Sequence, residues 1–385
     1  MVSPIKHRLK SLFILLLVTG YSLLVTKCIA QPPKYIRVAI LEDISSLRLK
    51  IKGSYEIIDS ASKKVLIRGR NLNTTVTVYD RGILLGNTKS NTNKLFIKSR
   101  DAIVNINGRG FRGDIQFIKS NNTKLTAINY IELEDYVKGI SVRETSHYRP
   151  IESLKAEVIV FRTFALYKMQ ENKQKDFDLT SDVYSQVYGG KGAERYRINK
   201  AVDETKGLVL TYQGKILPAF YHATCAGHTE DASLYWNVNM PPLKGVPCNF
   251  CQDSPHFKWH NVLSEEEVKD ALIKGGFKIG NIKDILISGR DKSNRITKLK
   301  IITDKKDIEI SAKDFRNLLG PNIIRSTNFD VRVVERDIVF EGFGWGHGVG
   351  LCQWGAYFMA KEGYNYKQIL GYYYPGAVVS LADKL

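Results

Sequence analysis

Alternation between apolar and polar side chains is the main pattern in the first third of the chain. Apolar residues at positions 47, 49 and 51 alternate with basic residues at 48, 50 and 52, which is the period of a half-buried strand. Similar short apolar runs at 35–41, 95–98, 102–106 and 114–118 are separated by glycine and asparagine clusters that favour turns. The pattern predicts a β-rich region over residues 31–125.

A helical period replaces this alternation beyond residue 131. Pro150 suits the first position of a helix, and apolar residues then recur at spacings of three and four, as on one buried helix face. These residues are Ile151, Leu154, Val158, Phe161, Ala165 and Met169. The pattern predicts a long helix inside a mixed α/β core that comprises residues 126–260 and 336–385.

Helix-capping signals mark a further segment between the two parts of this core. Ser264 stands three residues before Glu267, and Ser311 three before Asp314, the spacing at which a cap meets the first helical turn. Each predicted helix ends at a glycine, and apolar runs at 299–302 and 308–310 predict strands between them. Residues 261–335 are therefore predicted to form a small α/β insertion, and the whole chain an α+β fold.

The N-terminal segment has the composition of a secretion signal. Three basic residues, Lys6, Arg8 and Lys10, precede an uncharged and mostly apolar run over 11–26. Small residues at 28 and 30 make a cut before Gln31 plausible, and the 16-residue run is shorter than the roughly 20 residues of a spanning helix. Residues 1–30 are predicted to be a signal peptide, with an uncleaved membrane anchor as the alternative. Either places the body in the periplasm, in the cell wall or on the extracytoplasmic membrane face.

Net charge narrows the class of partner. Lysine and arginine number 57 against 39 acidic residues, a surplus of 18 in 385 residues. Residues 1–30 hold four basic residues and no acid, so the chain from Gln31 keeps +14. Such a surplus favours anionic partners. Since the chain is expected to be exported and has no nucleic-acid recognition motif, wall polymer or lipid headgroups are expected rather than nucleic acid.

Three clusters of residues could carry chemistry. The first reads LEDYV at 133–137 and RETS at 143–146, the second FYHATCAGHTE at 220–230, and the third GFGWGHGVGLCQWGA at 342–356. Together they resemble the stage II sporulation protein D and LytB amidase-enhancer family over roughly residues 126–377. The resemblance implies a peptidoglycan lytic transglycosylase that cleaves peptide-free glycan strands to 1,6-anhydro-muramic acid products. The alternative is a non-catalytic wall-binding protein that enhances an N-acetylmuramoyl-L-alanine amidase.

Glu144 matches the catalytic glutamate of the family, in a loop just before the long helix. A single carboxylic acid suits this reaction, because it can protonate the glycosidic oxygen and then accept the proton of the sugar's own C6 hydroxyl. Ordinary glycosidases need a second carboxylate, whereas here the substrate supplies the nucleophile. The sequence therefore predicts Glu144 as acid and then base.

Five other residues are predicted to contact the glycan. They are Arg162, Tyr188, His222, His347 and Gln353. Arg162 interrupts the apolar run of the long helix, where an unpaired guanidinium is costly, so a structural ion pair is an equal alternative. His222 matches a histidine found in family members without cysteines, which favours a place in the substrate cleft.

A cysteine cluster predicts either a zinc site or a disulfide. Cys225, Cys248 and Cys251 with one histidine would make a tetrahedral zinc site, while an exported protein can also form disulfides. Three cysteines leave one unpaired, which favours the metal, and the resemblance implies a structural role for it. His228 is the preferred fourth ligand, with His222 and His256 as alternatives. Cys352 is expected to be a small buried residue.

Overall fold

The alternation at residues 47–52 forms a strand that buries its apolar side chains and exposes its basic ones. The computed structural model describes residues 35–99, 102–182 and 185–382. In this structure the side chains of Leu47, Leu49 and Ile51 are at most 2% exposed. The strand extends over Ser46–Asp59 and lies near the middle of a large sheet. The β-rich N-terminal region is confirmed. The predicted signal segment lies outside the described residues.

Eleven of the described strands form this sheet. Its order is β11-β1-β10-β9-β6-β2-β3-β4-β5, with the β7–β8 hairpin attached to β2, and its neighbours are antiparallel except for β1 and β11. The strands are β1 Tyr35–Ile44, β2 Ser46–Asp59, β3 Val65–Tyr79, β4 Gly82–Leu85, β5 Thr88–Ser90, β6 Lys94–Lys98, β7 Ile103–Ile106, β8 Arg109–Phe111, β9 Asp114–Lys119, β10 Leu125–Glu132 and β11 Leu179–Thr180.

The predicted long helix is α2, Ile151–Glu171, and it lies at the centre of the helical part. Every residue from Ser153 to Leu166 except Lys155 is buried, so α2 buries more than the single face that its apolar spacing predicts. The reason is that α1 (Leu133–Glu144), α3 (Tyr196–Glu204), α7 (Gln353–Lys361) and α8 (Tyr366–Tyr373) all pack against it. Its apolar side chains and those of the large sheet share one hydrophobic core.

Short strands join the middle of the chain to its C-terminal part beside these helices. The segments from 208 to 236 and from 351 to 381 pair through two small sheets, β13-β12-β22 and the parallel pair β14-β21. The elements are β12 Leu208–Tyr212, β13 Lys215–Ile216, β14 Tyr221–His222, α4 Ala232–Trp236, β21 Leu351–Cys352 and β22 Val378–Leu381, with 3-10 turns at Gly190–Ala193 and Pro241–Leu243.

The predicted insertion has a hydrophobic core of its own, formed by buried residues from Trp259 to Phe340. Both predicted caps are confirmed: Ser264 and Glu267 form a capping box, and the Ser311 side chain accepts the backbone N–H of Asp314. The elements are β15 Lys258–Ser264, α5 Glu265–Lys274, β16 Ile282–Arg290, β17 Ile296–Thr303, β18 Ile308–Ser311, α6 Ala312–Leu319, β19 Phe329–Val334 and β20 Asp337–Phe343.

The α+β fold class is confirmed, and the described residues belong to one compact unit. Across the part of the chain that the structure describes, no helix combines the length and the apolar composition needed to cross a membrane.

Candidate functional site

Glu144 is the last residue of α1, and its carboxyl group is held by two donors. The Val187 backbone N–H donates to Oε1 at 2.6 Å, and the Tyr221 hydroxyl donates to Oε2 at 3.0 Å. The side chain is half-buried. Burial raises the pKa of Glu144 above its usual range, and the two hydrogen bonds oppose that rise because they stabilise the charged form. A half-buried acid with a raised pKa suits proton transfer.

Three side chains form a hydrogen-bonded relay that ends at Glu144. The Tyr136 hydroxyl donates to Gln186 Oε1 at 3.1 Å, and Gln186 Nε2 donates to the Tyr221 hydroxyl at 3.3 Å. Because the Tyr221 oxygen accepts from Gln186, its own proton is directed at Glu144. We call these residues and Glu144 the Glu144 pocket.

Gln353 supports the backbone of this pocket. It is the first residue of α7 and only 6% exposed, and its Nε2 donates to the Glu144 carbonyl oxygen at 2.9 Å. The Gln353 carbonyl in turn accepts a hydrogen bond from Arg149, whose other partner is Glu157. The structure therefore brings Gln353 to Glu144, as a group that positions it rather than as an exposed glycan contact.

His222 and His347 lie together on the other side of β14 from Tyr221, because neighbouring residues of a strand point to opposite faces. Their ring centroids are 5.7 Å apart. His222 Nδ1–H donates to the Val349 carbonyl, while His347 Nδ1 accepts the Val349 N–H at 3.0 Å. Burial and the nearby Arg295 lower the pKa of His222 to about 3, and burial also lowers that of His347. Both imidazoles are therefore neutral near pH 7.

Arg162 and Tyr188 are buried, so the prediction that they contact the glycan is wrong for this structure. Arg162 is fully buried, and its guanidinium forms two hydrogen bonds with Glu134, at 2.9 and 2.7 Å. Arg162 therefore forms a structural ion pair, which is the alternative to a glycan contact. Tyr188 is 1% exposed, and its hydroxyl donates to Asn129 Oδ1 at 2.9 Å. Its ring packs between Phe111 and Tyr136 in the core.

Four buried cysteines converge, and the fourth is Cys352 rather than a histidine. The Sγ atoms of Cys225, Cys248, Cys251 and Cys352 all lie within 4.8 Å of one another. His228 does not join this group, and its Nδ1–H donates to the Thr229 carbonyl at 2.6 Å. Among the described residues, no histidine nitrogen belongs to the group, so the structure does not place the predicted ligand His228 or its alternatives His222 and His256 there. We call the four thiols the cysteine cluster.

The cysteine cluster has the dimensions of a tetrahedral zinc site. Cys225 Sγ and Cys251 Sγ are 3.5 Å apart, far longer than a disulfide bond, and zinc–sulfur bonds of about 2.3 Å imply sulfur–sulfur separations of about 3.8 Å. The N–H groups of Cys225 and Gly355 each donate to Cys352 Sγ at 3.3 Å. Such donors stabilise a thiolate, which is the form that binds a metal.

Sequence reasoning missed Tyr221 and assigned Cys352 to the core. Tyr221 stands next to His222, and the strand period says only that these two side chains point to opposite faces. Cys352 lies 127 residues from Cys225, within an apolar context that is equally typical of an inert buried thiol. Both contacts, of Tyr221 with Glu144 and of Cys225 with Cys352, join segments that are far apart along the chain, so no local pattern predicts them.

Comparison with known proteins places two family models on the chain. A model described as stage II sporulation protein matches residues 121–212, which include α1, α2 and Glu144. A model for a domain of unknown function matches residues 248–350, which include the insertion. The first match covers the helix that carries the candidate acid together with the segment that holds its carboxyl group.

Several curated proteins are similar to the chain over much of its length. An uncharacterized protein of Brachyspira hyodysenteriae is 34% identical over 89% of this chain and 91% of its own length. Stage II sporulation protein D of Bacillus subtilis is 30% identical over 67% of this chain and 77% of its own length. An amidase enhancer of the same organism is 27% identical over 77% of this chain, which spans about half (48%) of that relative. The chain belongs to the stage II sporulation protein D family.

Proposed function

We propose that the chain is an exported peptidoglycan lytic transglycosylase in which Glu144 acts first as acid and then as base. The observation that carries the proposal is the carboxyl group of Glu144, half-buried with a raised pKa and held by Val187 and Tyr221. The relatives named stage II sporulation protein D and amidase enhancer support a role at the cell wall.

Three of the neighbouring acids are engaged in ion pairs, which favours a reaction with one carboxyl group. Glu134 is paired with Arg162, and Glu152 with Lys155. Glu157, which its helical position would place at the surface, is fully buried and paired with Arg149. A hydrolase needs a second carboxylate to activate water or to attack the sugar. Lytic transglycosylation does not, because the C6 hydroxyl of the muramic acid is the nucleophile.

In the proposed reaction Glu144 takes part in both proton transfers. Protonated Glu144 gives its proton to the glycosidic oxygen as the C1–O bond breaks. The resulting carboxylate is stabilised by the Val187 N–H and the Tyr221 hydroxyl. It then accepts the C6 hydroxyl proton as that oxygen bonds to C1 and closes the 1,6-anhydro ring, which restores the protonated acid. The raised pKa keeps a larger protonated fraction near neutral pH than an exposed glutamate would have.

We also propose that the cysteine cluster holds a structural zinc ion through Cys225, Cys248, Cys251 and Cys352. The ion would connect the segment after β14, the loop at 248–251 and the start of α7. Four cysteines can form two disulfides, so their number alone does not favour a metal. The support is instead the convergence of all four sulfur atoms, which separate disulfides would not require.

The test of the catalytic proposal is Glu144→Gln on peptide-free glycan, with Glu152→Gln as the matched control. Glutamine keeps the size of the side chain but cannot deliver a proton, and acid–base assistance is commonly worth about 10²–10⁴-fold in rate. Release of anhydro-muramic products should fall by at least that range in Glu144→Gln, and little in the control. If the wild type releases none but stimulates an N-acetylmuramoyl-L-alanine amidase, the chain is an enhancer and the proposal fails.

A further inference from the structure

The large sheet carries an open cationic groove that the proposed reaction does not use. The groove is about 760 Å³ in volume, and we call it the cationic groove. Its lining residues are Arg48, Lys50, Lys52, Asn73, Asn105, Asn107 and Gly108. Three are cations, three are amides, and neither an acid nor an apolar side chain is among them.

Strand pairing explains why these residues lie together. Arg48, Lys50 and Lys52 occupy alternate positions of β2, so they share its exposed face, while the apolar residues between them point into the core. Across the sheet, Lys50 pairs with Asn73 of β3 on one side and with Asn105 of β7 on the other. The result is a row of amide, ammonium and amide.

The cations of the groove are not neutralised by the surrounding structure. Among the described residues, none of the ion pairs involves Arg48, Lys50 or Lys52, although the same structure pairs many other lysines and arginines with acids. Positions two residues apart on a strand are about 6.8 Å apart, so the three cations extend over about 14 Å. This length exceeds one sugar ring and suits an extended polymer with repeated negative charges.

The hairpin at one end of the groove is hydrogen-bonded to the segment beside Glu144. Gly108 belongs to the turn between β7 and β8, and the next residue, Arg109, donates from Nη2 to the Tyr188 carbonyl at 2.6 Å. Tyr188 follows Val187, whose N–H holds Glu144. The β7–β8 hairpin therefore connects the groove to the segment that positions the candidate acid.

From this placement we infer that the cationic groove is a second binding site for an anionic glycan. The amides match sugar hydroxyl and acetamido groups, and the cations match carboxylates repeated along a polymer. Nucleic acid is a poorer fit, because no aromatic side chain lines the groove for base stacking. A membrane is a poorer fit as well, because the lining has no apolar side chain to insert. The peptide-free muramic acid strand, with its lactyl carboxylates, is the anionic glycan of the proposed function, on which this choice of ligand rests.

The test is a binding measurement in the full-length Glu144→Gln background, where cleavage is removed. The groove variant is Arg48→Gln/Lys50→Gln/Lys52→Gln, and the matched control is Lys278→Gln/Lys283→Gln/Lys306→Gln, which removes the same charge from exposed positions of the insertion. The probes are peptide-free glycan, an uncharged chitooligosaccharide of similar length, double-stranded DNA and anionic phospholipid vesicles. Lys50→Glu alone is a second variant with a smaller change of surface.

The groove variant should bind peptide-free glycan about tenfold more weakly and with a smaller salt dependence, and the control within about twofold of the parent. Binding of the uncharged oligosaccharide should change in neither. An equal loss in both triple variants, or no loss in the groove variant and Lys50→Glu, would overturn the inference. A loss confined to DNA or vesicles would also overturn it. If the wild type fails to cleave glycan while the groove variant loses glycan binding, the proposed reaction fails and the groove site stands.

Discussion

The Glu144 pocket and the cysteine cluster both draw on the strand pair β14–β21, but they are built from different chemical groups. The pocket has one ionisable carboxyl group, half-buried and held by a backbone N–H and a tyrosine hydroxyl. The cluster has four fully buried thiols from three separate segments. The pocket thus leaves its ionisable group within reach of solvent, whereas the cluster removes all of its groups from it.

This difference in burial separates a group that would contribute to the reaction from groups that would contribute to the stability of the fold. Burial raises the pKa of Glu144 and its two hydrogen bonds oppose that rise, so the surroundings of this acid act on its proton transfer. The proposed zinc ion would link distant segments through the four thiols and stabilise the folded state, since a ligand that binds only the folded chain stabilises it. Changes in the pocket should therefore alter rates and pH profiles, and changes in the cluster should alter stability and metal content.

The largest expected effect is the loss of stability on removal of a thiol from the cysteine cluster. Cys352→Ser should lower the free energy of unfolding by more than about 4 kcal/mol, because loss of a metal site is among the few single changes of that size. Elemental analysis should show about one zinc per wild-type chain and much less in the variant. His228→Gln is the control and should keep its zinc. Metal-free wild-type protein with disulfides among these cysteines would disprove the zinc site.

Arg162→Met should come next in size, because it leaves Glu134 without its partner beside the core. Breaking a buried ion pair by removing one member typically costs about 3–5 kcal/mol, and chemical denaturation should show a loss in that range. The affinity of the folded variant for peptide-free glycan should stay within about twofold of the wild type. A stable variant with strongly reduced glycan affinity would restore Arg162 as a substrate contact.

Tyr221→Phe should change the pH profile more than the stability. Without the hydroxyl, the charged form of Glu144 loses a hydrogen bond, so the pKa of Glu144 should rise further above its usual range. The alkaline limb of kcat/KM, where the acid loses its proton, should move upward by about one to two pH units, since a hydrogen bond to a charged group is worth about 1.5–3 kcal/mol. Tyr136→Phe, at the far end of the relay, should move it less. An unchanged profile in Tyr221→Phe would mean that the hydroxyl does not act on Glu144.

Features with a local signal could be predicted from the sequence. The capping box at Ser264 and Glu267 and the alternation in β2 depend on residues within a few positions of one another, and both are present as expected. Glu144 was found through a long motif rather than through its surroundings. Its partners, Val187 and Tyr221, lie 43 and 77 residues away, and no local pattern encodes such distances.

Features that depend on what surrounds an element could not be predicted in the same way. The helical period of α2 gives one apolar face, but four helices and the large sheet cover it on nearly every side. Glu157 and Arg162 are therefore buried in ion pairs, although a helix with one covered face would leave Glu157 at the surface. Cys352 looked like a packing residue because burial and ligation leave the same sequence signal when the partners are distant.

The smallest expected effect belongs to Gln353, which contacts the backbone of Glu144 rather than its carboxyl group. Gln353→Ala removes the donor to the Glu144 carbonyl oxygen, and one neutral hydrogen bond is worth about 1 kcal/mol. We expect kcat to fall about threefold to tenfold with KM and zinc content unchanged.

Gln353→Glu keeps the shape of the side chain, but its carboxylate faces that carbonyl oxygen and cannot donate to it. Its added negative charge should also raise the pKa of Glu144, so Gln353→Glu should lose more activity than Gln353→Ala and shift the alkaline limb upward, as Tyr221→Phe does. If both Gln353 variants instead lose zinc and stability together, then Gln353 belongs to the framework around Cys352, and the separation between the pocket and the cluster does not hold at α7.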